Sequence, residues 1–222
     1  MLRGMPQGFF TSTIGQKVLM AVTGVVLFGF VLGHMAGNLQ VFLGREAFNA
    51  YSVWLHHFLH GTGLWIARLG LLAAVVIHIV VSTSLTLKSR RARPVGYRET
   101  AYSRSTYASR TMRWSGPIIL AFVIYHLLDL TLGRVNPGFD PTDPYRNLVA
   151  SFGRTPVVAF YVLAVAGLGL HLRHGVWSML QSIGVSHPRY DRFRDAASTA
   201  FAVVVTLGFI VVPLSVQAGW VR

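Results

Sequence analysis

Five apolar runs, each long enough to cross a lipid bilayer, leave this chain few folds to choose from. They cover roughly residues 17–39, 64–87, 114–132, 155–180 and 197–217, and a helix needs about 20 apolar residues to span the hydrocarbon core. In lipid every backbone N–H and C=O must be bonded within the protein, so an isolated span of this length is a helix. Gly24, Gly29, Gly33, Pro117, Gly167, Gly169 and Pro213 fall inside the runs; bilayer helices tolerate both residue types, and small residues let helices approach closely. Only 12% of the 222 residues are charged, about half the share of a soluble domain, so polar surface for a water-soluble globule is missing. The first run is too long for a cleaved signal peptide, lacks a small-residue cleavage site and carries His34. The expectation is a single all-α transmembrane domain, residues 1–222, made of five membrane-spanning helices.

Charge orients the bundle. Lys and Arg number 20 against 7 Asp and Glu, a formal net charge of +13. These cations sit in short segments between apolar runs, a membrane pattern rather than a nucleic-acid footprint. Counted alternately, the N-terminus (Arg3, Lys17), the second connection (Lys88, Arg90, Arg91, Arg93, Arg98, Arg104, Arg110, Arg113) and the fourth (Arg189, Arg192, Arg194) hold thirteen. The other side holds five, Arg45, Arg134, Arg146, Arg154 and Arg222, with Arg68 and Arg173 inside spans. The positive-inside rule then puts the N-terminus in the cytoplasm and the C-terminus outside. The basic second connection also suits anionic lipid.

Two connections have their own character. Residues 44–61, GREAFNAYSVWLHHFLHG, mix apolar and polar side chains at helical spacing, which predicts a short amphipathic helix at the outer interface. Residues 133–154, with NPGFDPTDP, predict an outer loop without long secondary structure.

The chain contains a repeat. Residues 22–35 read VTGVVLFGFVLGHM and residues 114–127 read WSGPIILAFVIYHL. Each holds a hydroxyl residue, a glycine and, ten residues after the glycine, a histidine: Thr23–Gly24–His34 and Ser115–Gly116–His126. The next buried histidine follows 44 residues on in one case (78 − 34) and 45 in the other (171 − 126). Four helices thus form two related pairs, with the fifth added.

An ionisable residue inside a membrane helix is a functional candidate. At 1.5 Å per residue His34 lies roughly 24 Å and His126 roughly 18 Å from the inner ends of their helices, while His78 and His171 both lie roughly 14 Å in. Two histidines at each of two levels suit two stacked haems b, the outer held by His34 and His126, the inner by His78 and His171. Gly29, Gly33, Ala121, Gly167 and Gly169 would make room for flat macrocycles. Two axial imidazoles leave no open iron position, which suits electron transfer rather than oxygen activation. With no cysteine, the chain makes no disulfide, thiolate metal site, iron–sulfur ligation or covalent haem link. The bland alternative is buried histidines bonded to neighbouring hydroxyls. A haem-free transporter is another, although it would expect buried carboxylates, and the five runs contain only Asp129.

Other residues are candidates of a second rank. His174 competes with His171 as fourth ligand. His56, His57 and His60 would serve a quinone near the outer haem, and His187 is solvated in a basic loop. Haem propionates need cationic or hydrogen-bond donors: Lys17, Arg113 and Arg173 suit the inner haem; Arg45, Arg68, Arg134 and Arg154 suit the outer.

The run TSTIGQKVLMAVTGVVLFGFVLGHMAGNLQVFLGREAFNAYSVWL resembles the start of the five-helix, di-haem cytochrome b subunit of succinate dehydrogenases and fumarate reductases. FYVLAVAGLGLHLRHGVWSMLQSIG resembles that family's fourth helix, where a ligand histidine precedes Gly-x-Trp-Ser. The resemblance extends over nearly the whole chain, in order. It implies haem ligands at His34, His78, His126 and His171, an iron–sulfur subunit fed by a flavoprotein subunit as electron donor, menaquinone or another quinone as acceptor, and residence in a bacterial cytoplasmic membrane. Some members carry a Glu two residues before the fourth ligand as part of a proton path; here that position is Gly169. A cytochrome b anchor of another respiratory dehydrogenase is the nearest alternative.

Overall fold

The computed structural model describes residues 8–92 and 107–222, without the side chains of 107–111 and 113. Arg3, Arg93, Arg98, Arg104 and the side chains of Arg110 and Arg113 therefore lie outside the described residues. All regular structure among the described residues is helical: α1 (Thr13–Leu39), α2 (Arg45–His57), α3 (Thr62–Arg91), α4 (Tyr107–His126), α5 (Pro144–Phe152), α6 (Thr155–Ser182) and α7 (Asp191–Gln217). Five helices are long and apolar enough to cross a membrane, α1, α3, α4, α6 and α7, as the five apolar runs predict. At 27 to 30 residues, four of them measure roughly 40–45 Å, ample for a hydrocarbon core of about 30 Å.

Helix ends follow local chemistry. The Ser12 hydroxyl accepts the Gly15 N–H at 3.0 Å and starts α1. Residues 133–154 contain a helix that the sequence reading leaves out. Asp143 caps α5 by accepting the Arg146 N–H at 3.1 Å, and Pro144 fills the first turn, where its missing N–H costs nothing. A helix also occupies 45–57, and Phe48 on it packs against the α5 core.

α6 is the hub. It packs on α7, α4 and α1, while α1 also packs on α3 and α7. One apolar cluster joins α5, α6 and α7 through Leu148, Phe152, Val158, Tyr161, Val212 and Val216. A second joins α6 and α7 through Leu172, Ala202 and Val205, with Phe28 and Met35 of α1 against it. Two glycines permit these crossings: a Cβ on Gly169 would lie 2.2 Å from the Thr206 hydroxyl oxygen, and one on Gly208 would lie 2.3 Å from the Met35 sulfur. Gly169 therefore serves helix packing rather than room for a macrocycle. Ile66, Leu69, Leu72 and Val80 of α3 are all more than 60% exposed, which water would not permit over so wide a face and lipid does. The molecule is a multi-pass membrane bundle.

The two ends differ. At one, the end with the basic connections, Lys88 reaches from α3 to the Thr11 carbonyl at 2.5 Å and to Gln16 at 3.0 Å. At the other, α2 and α5 are tied by Asp143, which accepts hydrogen bonds from Arg45 and, at 2.8 Å, from Asn49.

Candidate functional site

The structure brings the four repeat-linked histidines together as two facing pairs. His34 of α1 and His126 of α4 have ring centroids 5.7 Å apart, nearly perpendicular. His78 of α3 and His171 of α6 are 6.4 Å apart, at 57°. The ring facing His78 is that of His171, not His174, which lies about one turn nearer the basic end.

The repeat explains the levels. The Thr23 hydroxyl lies 2.8 Å from the Leu19 carbonyl and 3.0 Å from His78 Nδ1; donation to the carbonyl leaves its oxygen to accept from an Nδ1–H. Ser115 does the same one repeat later: its hydroxyl lies 3.2 Å from the Met112 carbonyl and 3.1 Å from His171 Nδ1, and donation to the carbonyl leaves its oxygen to accept from an Nδ1–H. Each repeat thus supplies a hydroxyl to one pair and, eleven residues on (34 − 23 and 126 − 115), a histidine to the other. Eleven residues of helix rise roughly 16 Å, which separates the two levels by the same amount on α1 and α4.

These bonds decide what the imidazoles offer. With the proton on Nδ1, the lone pair lies on Nε2, the tautomer a metal ligand requires. The hydroxyl bonds of the bland reading are present, and they are compatible with ligation through Nε2. His126 Nδ1 has a different partner, the Tyr161 hydroxyl at 3.4 Å. His34 stacks on Phe30 at 5.3 Å, and among the described residues no side chain bonds its ring nitrogens.

The spacing fits a haem. A metal–imidazole bond of about 2 Å, plus about 1 Å from nitrogen to ring centre, puts two axial rings roughly 6 Å apart across one iron. Among the described residues no three His, Cys, Asp or Glu converge, so each pair suits an iron that brings its equatorial nitrogens with it. Among the described residues α1 and α4 share no extended packing, nor do α3 and α6, so each pair bridges a gap between helices. Gly24, Gly29, Gly33, Gly116 and Gly167 border open space, with nothing within 4 Å of a built Cβ, although Gly24 is itself buried.

The cations of the sequence reading have separate fates. Lys17 is exposed. Arg173 donates to Asp195 at 2.8 Å and to Thr199 at 3.0 Å, both on α7. The Arg113 side chain lies outside the described residues. Arg45 is bonded to Asp143, Arg68 lies over the Trp65 ring at 5.2 Å, and Arg134 is exposed. Arg154 reaches buried Asp129 at 3.0 Å and keeps its buried Nε–H without a partner. Sequence reasoning missed Arg194. It is 3% exposed, stacks over Trp177 and bonds Asp191, yet two buried nitrogens, Nε and Nη1, have no partner among the described residues. A buried guanidinium with unused N–H groups fits an anionic edge such as a propionate. The only sequence signal for it was a cation just before an apolar run.

His56, His57 and His60 are exposed near the end of α2. His56 and His57 donate from Nδ1 to the Ser52 and Val53 carbonyls at 2.8 and 2.9 Å, leaving Nε2 free. Leu59 and His60 are held at φ 48° and 55°, left-handed values unusual for such residues.

A five-span bundle that brings two pairs of imidazoles together in its interior is, by class, a multi-pass membrane protein with paired histidines. The sequence pattern of succinate dehydrogenase/fumarate reductase transmembrane subunits matches residues 89–211, more than half the chain and two of the four histidines. The chain belongs to that family, and so is the membrane subunit of such a complex. No curated protein and no solved structure matches it.

Proposed function

We propose that this chain anchors a succinate:quinone oxidoreductase and links its iron–sulfur subunit to a quinone, menaquinone by preference, through two haems b. The observation that carries the reading is the pair of facing histidine couples, with Nδ1 of three histidines already bonded and Nε2 left for iron. Haem b bound at each level supplies one-electron transfer between the two ends of the bundle. His78 and His171 hold the group nearer the basic end, with Arg194 offering N–H donors to its acidic edge. His34 and His126 hold the other, with Arg154 nearby in the chain's polar network.

The basic end offers positive surface for docking the iron–sulfur subunit, which a flavoprotein subunit supplies with electrons. Succinate never touches this chain. At the opposite end, free Nε2 atoms on His56 and His57, with His60 beside them, suit hydrogen bonding to quinone carbonyls and proton delivery to a reduced ring. Together with the family membership, two histidine pairs against a single acidic residue, Asp129, in the five apolar runs weigh against a transporter.

The test is haem content. Detergent-purified protein should give two b-type haems per chain by pyridine haemochrome, with a low-spin reduced-minus-oxidised spectrum. Haem-free protein that still binds its soluble partners would leave an anchor without electron transfer.

A further inference from the structure

The two histidine levels have unlike surroundings. At the His78/His171 level each Nδ1 meets a neutral hydroxyl backed by a backbone carbonyl. At the His34/His126 level the chain of hydrogen bonds ends on a carboxylate.

That carboxylate is Asp129, the only acidic residue in the five apolar runs. α4 does not stop at His126 but continues through Leu127–Thr131 as a π turn, closed by the Leu132 N–H on the Leu127 carbonyl at 2.8 Å, five residues back. The widened turn buries Asp129 completely, and such turns gather at functional sites. Three donors converge on it. Arg154 meets Oδ1 at 3.0 Å, the Tyr161 hydroxyl meets Oδ2 at 3.0 Å, and the Ser151 hydroxyl bonds Oδ2 as well. All three donate, so Asp129 acts here as an acceptor. Since Tyr161 gives its single proton to Asp129, its oxygen can only accept from His126 Nδ1, 3.4 Å away.

We propose that Tyr161 and Asp129 are positioning residues for His126. They fix its tautomer, and through its Nδ1–H they raise its strength as an electron donor, which lowers the reduction potential of iron held at that level relative to the hydroxyl-backed one. The proposal rests on the haem reading above. It makes the two levels unequal by construction: the repeat supplies equivalent histidines, and the π turn, which has no counterpart among the described residues, distinguishes one of them.

The experiment is an optical redox titration of the intact complex, resolving two midpoint potentials, on wild type, Tyr161→Phe, Asp129→Asn and Ser115→Ala. Tyr161→Phe keeps the ring packing against Phe122 and Phe152, at 5.0 and 4.9 Å, and removes only the hydroxyl. The expected result is an upward shift of one midpoint in Tyr161→Phe, a shift of that same midpoint in the same direction in Asp129→Asn, and a change confined to the other midpoint in Ser115→Ala. Unchanged midpoints in both Tyr161→Phe and Asp129→Asn, or equal shifts of both haems, would overturn the proposal while leaving the haem reading intact. If Tyr161→Phe loses haem, Asp129→Asn decides alone. Wild-type complex without haem would instead remove the haem reading itself.

Discussion

Single residues carry the chemistry, and pairing is their testable property. If His34 and His126 share one iron, His34→Ala and His126→Ala should each lose the same haem, and the double variant should lose no more. His78→Ala and His171→Ala should together define the other. Haem content and the surviving midpoint potential check this. Loss of both haems from every single variant would mean that the levels fold as one unit. A surviving pair that joins His34 to His78 would break the repeat argument. The histidines were legible because lipid makes an ionisable residue expensive, and because the repeat marks which are equivalent. The role of Thr23 and Ser115 was half legible. Both stood out as members of the repeat, but a hydroxyl on one helix says nothing about a histidine on another until the helices are packed. Arg194 was not legible, since a loop cation and a buried guanidinium look alike in sequence.

At the scale of elements, the long helices were readable because the bilayer enforces length and leaves the backbone no alternative. The short ones were not equally so. Residues 133–154 read as a loop from their Pro, Gly and Asp content, yet Asp143–Pro144 is a helix start, and composition does not separate a cap from a turn. The π turn after His126 has no sequence signal, and the donors that meet its Asp129 (Ser151, Arg154 and Tyr161) lie more than twenty residues on along the chain. The Asp143 cap has a measurable consequence. Burial pushes its carboxyl up, but hydrogen bonds from Asn49, the Arg146 N–H and Arg45 outweigh burial and hold it below the usual carboxylate range. A lowered pKa in the folded state contributes stability that is fully present above the unfolded value of about 4 and is lost as pH falls through the lowered one. Asp143→Ala should therefore destabilise the protein by about 1 kcal/mol near neutral pH. The difference from wild type should shrink in acid. Thermal melts in detergent across that range would show it, and a pH-independent gap would mean that the cap acts through packing alone.

For the whole molecule the open quantity is direction, and charge argues it. Thirteen cations at one end against five at the other would place the basic end in the cytoplasm by the rule that governs insertion. On the proposed reading, the same end is where a soluble iron–sulfur partner would reach the chain. Electrons entering there and leaving toward a quinone at the opposite end would cross much of the membrane, at about 2.3 kcal/mol per charge for each 100 mV. Electron transfer from succinate to menaquinone, if that is the acceptor, is unfavourable or near balance, so such coupling would matter to turnover. The chain contains no cysteine, so each introduced thiol reports one position. Ser186 lies exposed in the connection from α6 to α7, and Pro137 lies exposed in the connection that leads to α5. Ser186→Cys should react with a membrane-impermeant maleimide only in inside-out vesicles, and Pro137→Cys only in right-side-out ones. In the same inside-out vesicles, an uncoupler should then change the rate of succinate-dependent menaquinone reduction. The reverse labelling pattern would put the basic end outside, separate the chain from its soluble partners, and refute the orientation along with the electron path built on it. Correct labelling with a rate indifferent to the potential would keep the orientation and move the quinone to the cytoplasmic end, beside His78 and His171.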